Sequence, residues 1–130
     1  MQSAAEIGEV SKARFWTGWI LTVLPALFLL LDGVMKLVKP PIVVETTVKL
    51  GYPENTILPL GVVLIVSTIL YLIPRTAFWG AILLTAYLGG AVATHVRVAD
   101  GLFPVAFAII IAVLIWGGLY LRDQRLRELV

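Results

Sequence analysis

The stretch FWTGWILTVLPALFLLLDGVMKLV, residues 15–38, decides the class of this protein. As a helix it rises ~36 Å, more than the ~30 Å hydrocarbon core of a bilayer. Among its leucines it places a carboxylate, Asp32, and one turn later an amine, Lys36. Ionisable groups at membrane depth are costly, and they face a bundle interior, a partner or a wet cavity. The stretch is too long for the apolar core of a signal peptide. Lys39, Pro40 and Pro41 follow it in place of a small-residue cleavage site, so a retained span is expected.

Working outward, three more segments are long and apolar enough to cross a bilayer: residues 56–73, 76–98 and 102–121. The chain has 130 residues, of which 60% are hydrophobic and 14% charged, and a mean hydropathy of +0.99. A soluble domain carries about 25% charged residues, so the composition is that of a membrane protein. Open sheets do not survive in lipid and barrel strands alternate, which leaves helices. The expected fold is an all-α integral membrane four-helix bundle, one transmembrane domain over residues 1–130. Between the first two spans, the apolar positions of residues 42–50 suit a short interfacial or re-entrant helix, with an ordered loop as the alternative.

The net charge of +2 comes from short basic ends and loops. It builds no basic face, so nucleic-acid recognition is set aside. Cysteine is absent, which excludes thiolate, disulfide and iron–sulfur chemistry by this chain alone. The single histidine excludes bis-histidine haem. An even number of spans puts both termini on one side. That side collects Lys12, Arg14, Arg75, Arg122, Arg125 and Arg127, against Lys36, Lys39, Lys49 and Arg97 on the other. The bias predicts cytoplasmic termini. Trp16, Trp19, Tyr71, Phe78, Trp79, Trp116 and Tyr120 fall near the same end and read as an interfacial aromatic belt, with Tyr71 as an anchor.

The opposite end holds the unusual polar residues. Asp32 lies ~9 Å of helix rise, and His95 ~4.5 Å, from the outer ends of spans that run the same way. Asp32 is therefore expected in a cluster with Lys36, His95 and Arg97, with Thr94 in the same layer and Tyr87 on the wall below. Two readings of the cluster stay open: an ion pair that fixes the register of the first helix, or a ligand or proton-handling site. One histidine and one carboxylate are too few for a metal, so none is expected. Tyr87 either lines a ligand cavity or satisfies its hydroxyl on a backbone carbonyl, Thr22, Ser67 or Thr85. Gly89, Gly90, Ala93 and Thr94, and Gly117 with Gly118, form small-residue strips. These suit packing within the bundle or self-association. Pro25 and Pro59 mark kinks or a helix start.

DGVMKL at the end of the first span, LGYPE before the second, and LYLIPRTAFWGAILLTAYLGGAVATHVR through the third resemble the DoxX-like family of small bacterial membrane proteins. The resemblance covers about residues 15–120. Gly33, Lys36, Leu37, Gly51, Pro53, Pro74, Arg75, Gly80, Gly89, Gly90, His95 and Arg97 match its pattern. It implies a four-helix fold in the bacterial inner membrane and no settled activity. Relatives in the wider superfamily include a subunit associated with thiosulfate:quinone oxidoreductase, subunits of redox-protective complexes and a receptor-assembly chaperone, and fold alone does not choose between such roles. Disulfide-based roles do not carry over to a chain without cysteine.

The leading expectation is a binding or accessory protein, not an enzyme on its own. Asp32, Lys36, Tyr87, His95 and Arg97 would hold the head of a quinone, a lipid or another amphiphile. No cofactor is required by the residues, and a quinone is the candidate. A membrane redox partner and a homo-oligomer are the protein partners to test, beside the lipid bilayer itself. The second expectation is a scaffold subunit with a purely structural polar cluster. The third is a quinone-linked oxidoreductase or isomerase with His95 or Asp32 as its acid–base group.

Overall fold

The computed structural model describes residues 4–129, with side chains over residues 12–128. It contains α1 (Ala4–Val38), α2 (Pro41–Lys49), a 3-10 turn (Glu54–Thr56), α3 (Ile57–Leu72), α4 (Ala77–Val98), α5 (Leu102–Arg122) and α6 (Gln124–Leu129). Four of these elements are long and apolar enough to cross a membrane: Lys12–Val38, Glu54–Leu72, Ala77–Val98 and Leu102–Arg122. They form an all-α bundle in which α1 packs on α3 and α5, and α4 packs on the same two. Helices α1 and α4 therefore face each other across the bundle diagonal.

Apolar length makes these helices, and the backbone stops them. α1 ends where Lys39 turns left-handed (φ 56°) ahead of Pro40 and Pro41. Pro41 then opens α2, since its fixed φ suits a first helical position. α2 closes with paired backbone bonds, Tyr52 N–H to the Thr47 carbonyl (3.3 Å) and Gly51 N–H to the Val48 carbonyl (2.9 Å). This Schellman arrangement needs a left-handed residue, and Gly51 supplies it at φ 95°. The segment that the sequence left between helix and loop is thus a helix. Pro59 sits in the first turn of α3, while Pro25 lies inside α1 and is fully buried.

Three of the four helix seams close at glycines, as expected where backbones must approach without a hydrophobic drive between helices. α1 crosses α5 at Gly18 and Gly118; a Cβ on Gly118 would lie 3.0 Å from the Thr22 backbone nitrogen. α1 crosses α3 at Gly33 and Gly61, where a Cβ on Gly61 would lie 2.8 Å from Lys36 Cβ. α3 meets α4 where Gly80 rests against the backbone of Leu70 and Tyr71. The fourth seam, between α4 and α5, is different. Gly89, Gly90 and Gly117 have open space where a side chain would go, so these small residues do not serve packing within the bundle.

The end holding both termini is locked by a buried polar knot. Tyr71, fully buried, donates to the Ile115 carbonyl (2.6 Å) and lies 3.3 Å from the Thr22 hydroxyl. Arg122 donates to Thr22 (2.9 Å) and to the Tyr71 carbonyl (2.6 Å), between the rings of Trp19 and Tyr71 at 4.5 and 4.8 Å. Tyr71 is therefore no interfacial anchor. Its aromatic neighbours Trp16, Trp79 and Tyr120 are exposed, as a belt requires.

Candidate functional site

At the α2 end, α1, α4 and α5 enclose a cavity of about 270 Å³. α1 contributes Phe28, Leu29 and Asp32. α4 contributes Tyr87, Leu88, Ala91 and His95, and the wall of α5 runs from Phe103 to Ile111. Three residues expected from the sequence thus line one space from opposite corners of the bundle: Asp32, Tyr87 and His95. The remaining lining is apolar and rich in phenylalanine. Phe28 meets Phe107 edge-to-face at 5.0 Å, and Phe107 stacks on Phe103 at 5.9 Å. Phe28 and Phe103 are 43% and 77% exposed, so this aromatic run carries the cavity lining out to the surface of α1 and α5.

The charges are arranged differently from the expected single cluster. Lys36 Nζ donates to Asp32 Oδ1 at 2.8 Å, one turn along α1. The lysine is the more buried partner, 15% exposed against 37% for Asp32, because its stem packs on Gly61. Tyr87 stands beside this pair, within electrostatic reach of both charges and of Tyr52. His95 takes another partner: its Nδ1 lies 2.7 Å from Asp100 Oδ2, beyond the end of α4. Asp32 and His95 share the cavity, but each is held by its own counter-ion.

Arg97 does not join them. It is exposed and donates to the Leu50 carbonyl at 2.6 Å, passing over Gly51. Two residues along a helix turn the side chain by ~200°, so His95 and Arg97 face opposite ways. Thr94, next to His95, is buried and bonds the Tyr52 hydroxyl at 2.6 Å. Arg97 and Thr94 thereby tie the α2 segment down over α4. Tyr87 uses none of the partners named for it above. Thr22 is taken by Tyr71 and Arg122, and Thr85 receives the Trp116 indole N–H at 2.7 Å.

Sequence reasoning missed Asp100, Tyr52 and the three phenylalanines. Asp100 follows His95 by five residues, a spacing that brings the side chains together because Ala99 (φ 53°) turns the chain back at the helix end. Tyr52 stands in the LGYPE motif, but nothing in that motif announces its contact with Thr94. Among the described residues no three His, Asp or Glu converge on a point where a metal ion could sit.

A larger hollow of about 700 Å³ lies in the open α4–α5 seam. It holds none of the ionisable residues of the α2 end, and its lining is almost wholly apolar. Size favours this hollow, but chemistry favours the smaller one. Directed recognition needs a few convergent polar groups in an apolar wall, and only the α2-end cavity has them.

The description "DoxX-like family" attaches to the family model that matches residues 20–118. Neither a curated protein nor a solved structure matches the chain. The match covers most of the sequence and the four-helix architecture agrees with it: the chain is a multi-pass membrane protein and belongs to the DoxX-like family.

Proposed function

We propose that this DoxX-like family member is a binding protein of the bacterial inner membrane, with cytoplasmic termini, that holds a quinone-class amphiphile in the α2-end cavity. The observation that carries the reading is the convergence of Asp32, Tyr87 and His95 on one phenylalanine-lined space. At about 270 Å³ the space falls just under the usual range of roughly 300–1,000 Å³ for small-molecule sites. It suits a single ring with its tail left outside, and it is small for a phospholipid head with its glycerol. The rim at Phe28 and Phe103 gives the tail an exit into lipid. Of the residues expected to bind, Lys36 acts by holding Asp32, and Arg97 is assigned to the fold.

The polar groups suit a head that changes between carbonyl and hydroxyl. With Asp100 as a carboxylate, His95 Nδ1–H donates to it, which leaves Nε2 as the free ring nitrogen. Nε2 accepts from a quinol hydroxyl when neutral and donates to a quinone carbonyl when protonated, with Asp100 balancing the charge. Tyr87 O–H donates to the second oxygen. The phenylalanine rings supply stacking at offset or edge geometry.

The test is thermal unfolding in mild detergent with a short-chain benzoquinone added. The reading predicts stabilisation that grows with concentration, reaching about 2.7 kcal/mol at a hundredfold excess over Kd. His95→Gln and Tyr87→Phe would each shrink it. No stabilisation of the unsubstituted protein at any concentration would sink the reading and favour a scaffold role, with Asp32–Lys36 as an internal brace.

A further inference from the structure

A second hollow begins beside the cavity above, sharing Leu88 and Ala108 with it, and extends toward the end that holds both termini. The apolar hollow of the α4–α5 seam runs along α5 from Ala108 to Tyr120, ~18 Å of helix rise. Half of a ~30 Å hydrocarbon core is ~15 Å, so the hollow has the depth of one leaflet. A partner helix crossing the bilayer would need a face twice as long. The floor is bare because Gly89 and Gly117 leave open space where side chains would stand. At its terminal-side end the hollow reaches Leu126, which also lines a smaller pocket formed by Arg75, Phe78, Trp79, Asp123 and Arg125. Phe78 joins the two, since it packs edge-to-face on Trp116 at 6.0 Å.

The head pocket is basic and lies where a membrane surface would be. Arg75 is exposed on the loop between α3 and α4, and Trp79 beside it is 64% exposed. Arg125 is anchored by a 2.6 Å bond to the Pro74 carbonyl, and its Nε is a long 3.5 Å from Asp123. Two guanidinium groups therefore face one carboxylate, which leaves the pocket a net cation at the mouth of an acyl-length channel. We propose that this composite site binds an anionic phospholipid of the leaflet on the side of both termini. Its phosphate rests on Arg75 and Arg125, and one acyl chain lies in the groove over Gly117 and Gly89. The two parts are complementary to a lipid in charge and length together, and neither part alone would specify one.

The test uses the intact protein in mild detergent, mixed with equal amounts of dioleoyl phosphatidylglycerol and dioleoyl phosphatidylcholine, with retained lipid counted by native mass spectrometry. Arg75 and Arg125 against Asp123 leave one net positive charge, so the anionic lipid should be retained about fivefold over the zwitterionic one. Arg75→Gln with Arg125→Gln should erase that preference. Arg75→Gln alone, at an exposed loop position, should reduce it should the double variant fail to fold. Gly117→Leu should lower retention of both lipids by filling the groove. Equal retention of the two lipids by the unsubstituted protein would overturn the proposal. So would release of phosphatidylglycerol by millimolar inorganic phosphate with no effect of Gly117→Leu, which would mark a free-anion pocket. A dimer converted to monomer by Gly117→Leu would give the groove to a second copy and overturn it equally.

Discussion

His95 Nδ1 and Asp100 Oδ2 lie 2.7 Å apart across the left-handed turn that ends α4. The contact fixes the imidazole against the cavity wall and settles which ring nitrogen is free. A ring held in one orientation presents its free nitrogen to the cavity without a further loss of side-chain freedom on binding. The same carboxylate is 37% exposed, so its share in stability is that of a surface pair, roughly 0–1 kcal/mol.

Asp100→Ala should therefore separate function from fold. Ligand retention should fall about tenfold, while the thermal midpoint moves by only a few degrees, as expected for a loss under 1 kcal/mol. Binding assays on Asp100→Ala and Asp100→Glu, with unfolding measured in parallel, check it. An unchanged affinity in both variants would remove Asp100 from the site.

Lys36 and Asp32 should respond unequally to substitution. Asp32→Ala strands the more buried amine near the bundle interior and should cost about 1–3 kcal/mol. Lys36→Leu with Asp32→Leu removes both charges and should recover most of that loss, since replacing a whole pair by apolar groups is often neutral. Unfolding of both variants and the unsubstituted protein under one set of detergent conditions would show the recovery or its absence.

The adjacent glycines of α5 should behave oppositely. At Gly118 a Cβ would meet Thr22 Oγ1 at 2.6 Å and its backbone nitrogen at 3.0 Å. Gly118→Ala should then cost about 1–3 kcal/mol as an overpacked crossing. Gly117→Ala faces open space, and should be neutral or stabilising by up to about 1 kcal/mol through helix propensity. Comparing the two unfolding midpoints tests the seam assignment directly.

Arg122 should be the costliest single loss at the terminal end. It bonds Thr22 and the Tyr71 carbonyl while lying against two rings, so Arg122→Leu breaks the knot that joins α1, α3 and α5. We expect about 2–4 kcal/mol, with little rescue by Arg122→Lys, because an ammonium cannot reproduce the planar fork. Tyr71→Phe, which removes one hydroxyl, should cost nearer 1 kcal/mol.

What the sequence made legible follows from which forces are local. The number of long apolar helices follows from hydropathy alone, and four such helices are present, although α1 begins at Ala4, well ahead of the apolar stretch that starts at residue 15. Counting helix rise brings Asp32 and His95 to one depth, with Tyr87 about two turns below, and all three line one cavity. Rotation about the helix axis is harder to read: depth groups Arg97 with His95, yet a ~200° turn sends it to the α2 segment. The partners of His95 and Thr94 depend on loop geometry, at Ala99 and Gly51 respectively, which periodicity does not encode. The nearness of Tyr71 to the belt suggests an anchor, but its burial depends on the close approach of α4 at Gly80.

The central claim is that the α2-end cavity holds an amphiphile by its ring-sized head. Native mass spectrometry of the gently solubilised protein, with extraction and identification of whatever remains bound, tests it most directly. The account predicts a near-stoichiometric quinone-class molecule that is lost when Asp32→Asn and His95→Gln are combined, while the variant stays folded. A protein that carries no such molecule, or one that retains it undiminished in the double variant, would contradict the account.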